Sequence, residues 1–367
     1  MPMRGHIACL LIGAGLVVLS GCSDFFSKQT GTGSGGGSSV SRVYVTNNGD
    51  NKISVFRIDD STGALTVTSS AATGTAGPQG IVVVAGKFLF AGSNGTGVSG
   101  YTINSSDGVL TMMGSSPFIV GNQPRAVAVD PAGKFLYVAN TADLSIGGFT
   151  IDASTGVLTP IAGTPLPAGG TPVDIKVDAA DRFVYAALGS AGIIGFAINS
   201  STGALTQIGS GPIAAYAGGK PNSLAVEKTG RYLYATDGVN GVEVFSINAT
   251  TGALTALTAS PIAAQANPSA AATDPSGTFL YVANRDANNV SAYAILGNGL
   301  LSEISGSPFP AGTNPQAVGV DPTGKFVFVA NNGGGISEYK IENAISGKLI
   351  SAGTASSGTN PAGIAFK

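Results

Sequence analysis

The residues best placed to do chemistry in this chain are Asp174 and Lys176, two apart in Asp-Ile-Lys-Val, so in a strand they share a face. Six parallel segments carry small or aliphatic side chains at those positions: Gly80 and Val82, Ala126 and Ala128, Ser223 and Ala225, Ala270 and Ala272, Ala317 and Gly319, Gly363 and Ala365. A carboxylate and an ammonium in such a place must be paired, hydrated or ligand-bound to be tolerated. A structural ion pair meets that need. So does a polar site in which Asp174 acts as general base on water while Lys176 holds negative charge. Arg125 is the third candidate. It follows Pro124 directly, turn geometry does not call for it, and it needs an anion or a carboxylate as partner.

Residues in the position of Arg125 recur as Gln79, Val173, Asn222, Ser269, Gln316 and Ala362. Loops leaving the second strand of each repeat add Asp50, Asp143, Asp237, Arg285 and Asp286 to the same end of the molecule. From these, Gln79, Asn222, Ser269, Arg285, Asp286 and Gln316 are the expected ligand-binding residues, because convergent polar groups at a concave mouth favour binding. Asn and Asp are also ordinary turn formers, so many of the others have a structural explanation.

What must position these side chains is a repeat. Aromatic residues sit at the centre of seven similar phrases, at Tyr44, Phe90, Tyr137, Tyr185, Tyr234, Tyr281 and Phe328, spaced 46 to 49 residues apart. That is the period of a propeller blade rather than a helical solenoid. Each unit reads as four short strands separated by turn chemistry. The third has strands over residues 125–130, 134–140, 145–151 and 157–161, with Asp130-Pro131-Ala132-Gly133 as a type I turn between the first two. The repeat begins at a second strand (residues 42–47) and ends on a first-strand phrase (residues 361–367). The expected fold is therefore all-β, a seven-bladed β-propeller of four antiparallel strands per blade over residues 40–367, with one blade built from both chain ends.

Residues 1–21 read as a signal peptide: Arg4, an apolar run over residues 7–19, then Leu19-Ser20-Gly21-Cys22. That tetrad resembles a bacterial lipobox, which implies cleavage before Cys22 and its lipidation. Residues 22–39 would then be the lipidated Cys and a Gly/Ser tether, and the protein a monomer in the cell envelope, lipid-anchored to a membrane.

Composition narrows the chemistry. Cleavage would remove His6, the one histidine of the chain, and would leave Cys22 as the one cysteine, itself acylated. Ser-His-Asp and Cys-His nucleophiles are then excluded, as are His/Cys sites for zinc, copper or haem. No Asp-rich loop has calcium-site spacing, so no metal and no cofactor are expected. A formal charge of −2 with no basic block argues against nucleic acid as a partner.

The phrase NPxAVxVDPxGKFLYVAN…VSxYxI, clearest over residues 267–300 and 314–348, resembles the lactonase family of seven-bladed propellers, which includes 6-phosphogluconolactonases of propeller type. Tyr44-Val45-Thr46-Asn47 also spells the repeat signature of surface-layer relatives. The resemblance implies a lactone-opening site in which Pro-Arg-His begins one inner strand. This chain has Pro124-Arg125-Ala126, so the Arg carries over and the His does not. On that departure the first expectation is an anchored module that binds a small molecule or protein at the propeller mouth, or serves as a scaffold. The alternative is a lactone hydrolase with an altered, His-less site using Asp174, Arg125 and Lys176.

Overall fold

The computed structural model describes residues 41–215, 218–239 and 241–367, within a compact unit running from Ser39 to Lys367. The expected signal peptide, the lipidated Cys22 and the tether over residues 22–39 lie outside the described residues.

Seven antiparallel sheets follow one another among the described residues, numbered here as blades I to VII in chain order. Blade I holds Arg42–Asn47, Lys52–Ile58 and Leu65–Ala72, and its innermost strand is Pro361–Phe366 from the other end of the chain. The closing register pairs Val43 with Phe366, Tyr44 with Ala365 and Val45 with Ile364. The inner strands of blades II to VII are Pro78–Val84, Pro124–Val129, Asp174–Val177, Pro221–Val226, Pro268–Thr273 and Pro315–Val320. Each inner strand touches the next around a full circle, so the ring has no free edge between first and last blades. Helix is confined to one 3-10 turn, Gly189–Ala191, among the described residues.

Blade III shows how closely the turn chemistry sets the boundaries. Its strands are Pro124–Val129, Phe135–Asn140, Ser145–Ile151 and Leu158–Pro160. A short fifth strand, Leu166–Pro167, was not expected, and blades II and VI have counterparts in Phe118–Asn122 and Phe309–Pro310. In these blades a turn splits the outermost strand in two. In blades II and VI a Ser hydroxyl at the break replaces the lost ladder bond: Gly100 N–H donates to Ser116 Oγ at 2.9 Å and Ala292 N–H to Ser307 Oγ at 3.1 Å.

Two recurring contacts hold the wedges together. The hydroxyls of Tyr44, Tyr137, Tyr185, Tyr234 and Tyr281 donate to the carbonyls of Gly108, Gly203, Gly252, Gly299 and Gly347, each in the next blade, at 2.8–3.1 Å. These glycines end the turns before the outer strands. A Cβ at Gly203 would lie 2.4 Å from the Phe135 ring, so only glycine admits that approach. Burial also pushes the Tyr44 hydroxyl up to about 12. In the inner turns, Oδ1 of Asp130, Asp178, Asp274 and Asp321 each accepts two backbone N–H bonds, as that of Asp130 does from Lys134 and Phe135 at 2.6 Å. That is why an Asp heads each of these turns, in three of them as Asp-Pro-x-Gly.

Candidate functional site

The inner strands surround a central channel of about 620 Å³. Its polar lining is set by a bulge. In blade III, Ala139 faces Ala126 and Asn140 faces Pro124, which leaves Arg125 out of the ladder. The same skip occurs at Asn222, Ser269, Gln316 and Ala362, and at Gln79 together with Gly80. A bulged residue is unpaired and its side chain is re-aimed. Here the bulges, present in six of the seven blades, turn residues toward the channel mouth, so Gln79, Arg125, Asn222, Ser269 and Gln316 all line the channel, with Arg285 beside them.

Deeper in, the inner strands crowd one another. A Cβ at Gly363 would stand 2.3 Å from the Gln79 carbonyl oxygen, and one at Gly80 would stand 2.9 Å from the Ala126 Cα. Each inner strand thus presses on the backbone of its neighbour. Asp174 occupies the same kind of position and converts contact into hydrogen bonding. Its Oδ1 accepts from Ile175 N–H and from Lys176 Nζ, both at 2.8 Å. Its Oδ2 accepts from Ser223 Oγ at 3.0 Å and Leu224 N–H at 2.8 Å, in blade V. The carboxylate is 11% exposed and all of its usual acceptor positions are filled. Of the two readings of this pair, the geometry displays the paired one, with Asp174 stitching blade IV to blade V. Lys176, 40% exposed, keeps one side toward the channel.

Arg125 differs. Its guanidinium makes no hydrogen bond or ion pair among the described residues, and its side chain is exposed to the channel. The wall around it still displaces enough bulk water to lower its pKa, an effect Asp174 opposes and Arg285 reinforces. Arg285 is held loosely by Asp286, Nε to Oδ1 at 3.4 Å. Three cations therefore converge on the channel, and Asp174 is the one carboxylate in its lining among the described residues.

Other expected residues are more committed to structure. Ser269 Oγ donates to Pro315 O at 2.8 Å and Ala283 O at 3.1 Å, and Gln316 Nε2 donates to Asn314 Oδ1 at 3.0 Å. Asp286 departs from expectation: it is not part of the channel wall, because its carboxylate turns to Asn267 Nδ2 at 3.0 Å and to Arg285. Asp143 and Asp50 are spent on the loops themselves, accepting from Asn122 and from Thr359 N–H. Among the described residues no group of three or more His, Cys, Asp and Glu side chains is gathered for a metal.

With this geometry in hand, the comparisons with known proteins are specific. The model of the lactonase family, described as a 7-bladed β-propeller, matches residues 41–173, 165–266 and 258–366. The chain belongs to that family. A 6-phosphogluconolactonase of Formosa agariphila is 45% identical over 58 residues, a stretch covering 15% of this chain and 16% of that relative's length. Among solved structures, a candidate 6-phosphogluconolactonase from Bacteroides uniformis superposes with a TM-score of 0.78 at 21% identity, over 90% of this chain and 100% of the other. A periplasmic gluconolactonase of Pseudomonas aeruginosa gives 0.73 at 20% identity, over 89% and 99%. At such identity these structures speak for the fold. Family membership favours the hydrolase alternative over the anchored binding or scaffold module expected first.

Proposed function

We propose that this lactonase-family propeller opens the lactone of a sugar acid at the mouth of its central channel. The observation that carries the reading is Arg125: a guanidinium aimed by a bulge into the channel, with no protein partner. Attack of water on a lactone carbonyl places negative charge on its oxygen. A fixed cation in a partly dry site stabilises that charge more in the transition state than in the ground state. Arg285 and Lys176 supply further positive potential for an acidic or phosphorylated substrate. Gln79 and Asn222 offer amide groups for sugar hydroxyls. Asp174 serves as base only if one of its four donors gives way, so electrostatic stabilisation by Arg125 is the principal lever and water attacks with little help. A ring-opening that already proceeds in water is compatible with such a sparse site.

The test is lactone opening by the purified protein, followed in a pH-stat above the spontaneous rate, with glucono-δ-lactone and its 6-phosphate as substrates. Turnover that falls by about 10²-fold or more in Arg125→Ala supports the reading. Absence of turnover on both lactones, or turnover indifferent to Arg125, rejects it.

A further inference from the structure

One contact at the far end of blade III has no structural explanation. The inner turns of five blades run from an acid to a fourth residue that is Gly133, Asp181, Gly230, Gly277 or Gly324. Asp181 alone breaks the glycine pattern and does so at φ +58°, where an L side chain is strained. Two of the four glycine junctions bring a Cβ close to the acid of the preceding blade. A Cβ on Gly230 would lie 3.3 Å from Asp178 Oδ2 of the preceding blade, and one on Gly277 would lie 3.5 Å from Glu227 Oε2. Asp181 holds the corresponding place beside blade III, and the Asp130 charge acts on its carboxyl.

Asp130 Oδ2 is free. In blades VI and VII the outer carboxylate oxygen accepts from the residue two positions on, Asp274 from Ser276 and Asp321 from Thr323. In blade IV, Asp178 Oδ2 takes Arg182. Blade III has Ala132 at that place, so Asp130, 1% exposed, keeps a wholly buried Oδ2 with no partner, and Asp181 Oδ1 is likewise buried and unpartnered. Two carboxylates thus meet across a blade junction with unbonded oxygens. Asp178, its charge already engaged by Arg182, and Lys134 are the other charged groups that act on Asp181.

We infer that Asp130 Oδ2 and Asp181 bind a divalent cation between blades III and IV, on the face opposite the channel mouth, with calcium the best match. The donors are hard oxygens and no sulfur or nitrogen is offered. Calcium fills the rest of a loose oxygen shell from carbonyls and water, as two carboxylates require. Without a cation, burial and repulsion from Asp130 and Asp178 push the Asp181 carboxyl above its ordinary value.

The experiment is thermal unfolding of the purified protein at pH 7 in EDTA and in 5 mM CaCl₂. Calcium is expected to raise Tm by about 2–4 °C. Asp181→Gly, which restores the residue of the other blades, is expected to abolish the calcium shift while unfolding in EDTA at or above the wild-type temperature. Ala132→Ser, which offers Asp130 Oδ2 the hydroxyl that Ser276 gives Asp274, is expected to shrink it. No calcium shift in the wild type, or a shift that survives in Asp181→Gly, overturns the inference.

Discussion

Replacing Asp174 with alanine separates two roles that its position alone leaves entangled. The wild-type carboxylate takes two bonds from blade V, and Leu224 is fully buried, so the substitution strands the Leu224 N–H without an acceptor. An unpaired buried N–H costs about 1–3 kcal/mol and the lost hydroxyl bond about 1 more. The Lys176 pair adds less than ~1 kcal/mol, because the ammonium is 40% exposed and solvent screens it. The expected loss is about 3 kcal/mol, read as a fall in the urea midpoint at constant slope. Ser223→Ala should cost about 1 kcal/mol, and the double variant should show coupling of similar size. Should Asp174→Ala instead unfold within ~0.5 kcal/mol of wild type while lactone turnover disappears, the stitching argument fails and Asp174 belongs to the reaction.

Arg125→Ala is expected to leave stability within about ±0.5 kcal/mol, since nothing in the protein bonds to the guanidinium, and denaturation beside the turnover assay checks both halves of the claim. Tyr281→Phe should lose about 1–2 kcal/mol by leaving the Gly347 carbonyl without its donor, measurable by urea unfolding. Glu227 is pushed up by burial, but bonds from Thr229 and Arg231 outweigh this and lower its pKa. Its stabilisation is therefore complete above its unfolded value near 4.5 and is lost as pH falls through the lower folded value. Comparing Glu227→Gln with wild type between pH 3 and pH 7 should show the wild-type advantage shrinking toward the acid end.

The fold was legible because each blade repeats the same solutions. The spacing of the central aromatics, the Asp-Pro-x-Gly turn and the first-strand phrase at the C-terminus were enough to give the blade number and the shared blade. The bulge was less visible. A Pro followed by a polar residue marks its place, but only the pairing of Asn140 with Pro124 shows that Arg125 is excluded from the ladder. The Tyr-to-Gly bonds were present as two separate repeats, and periodicity within a blade cannot show that they meet between blades. Asp286 was misplaced because neighbours in a turn need not share a direction, and Asn267 claims its carboxylate. The partners of Asp174 lie 49 and 50 residues away in another blade, so the sequence could mark the anomaly without saying how it is resolved.

A repeat protein supplies its own controls, and each blade shows what a position needs for packing alone. Asp174 departs from its counterparts, and the departure is matched by four donors, so structure accounts for it. Arg125 and Asp181 also depart, yet each leaves polar atoms without a protein partner. Selection for folding does not call for either. The inner strand Pro124–Val129 has six residues, with Arg125 near one end and Asp130 just past the other. At about 3.3 Å per residue the two loci stand roughly 15 Å apart. Water and counterions screen charges across such a span, so a cation held by Asp181 should steady the junction of blades III and IV without setting the rate at Arg125. Asp181→Gly should accordingly erase calcium stabilisation and leave lactone turnover at the wild-type rate, whereas Arg125→Ala should do the reverse.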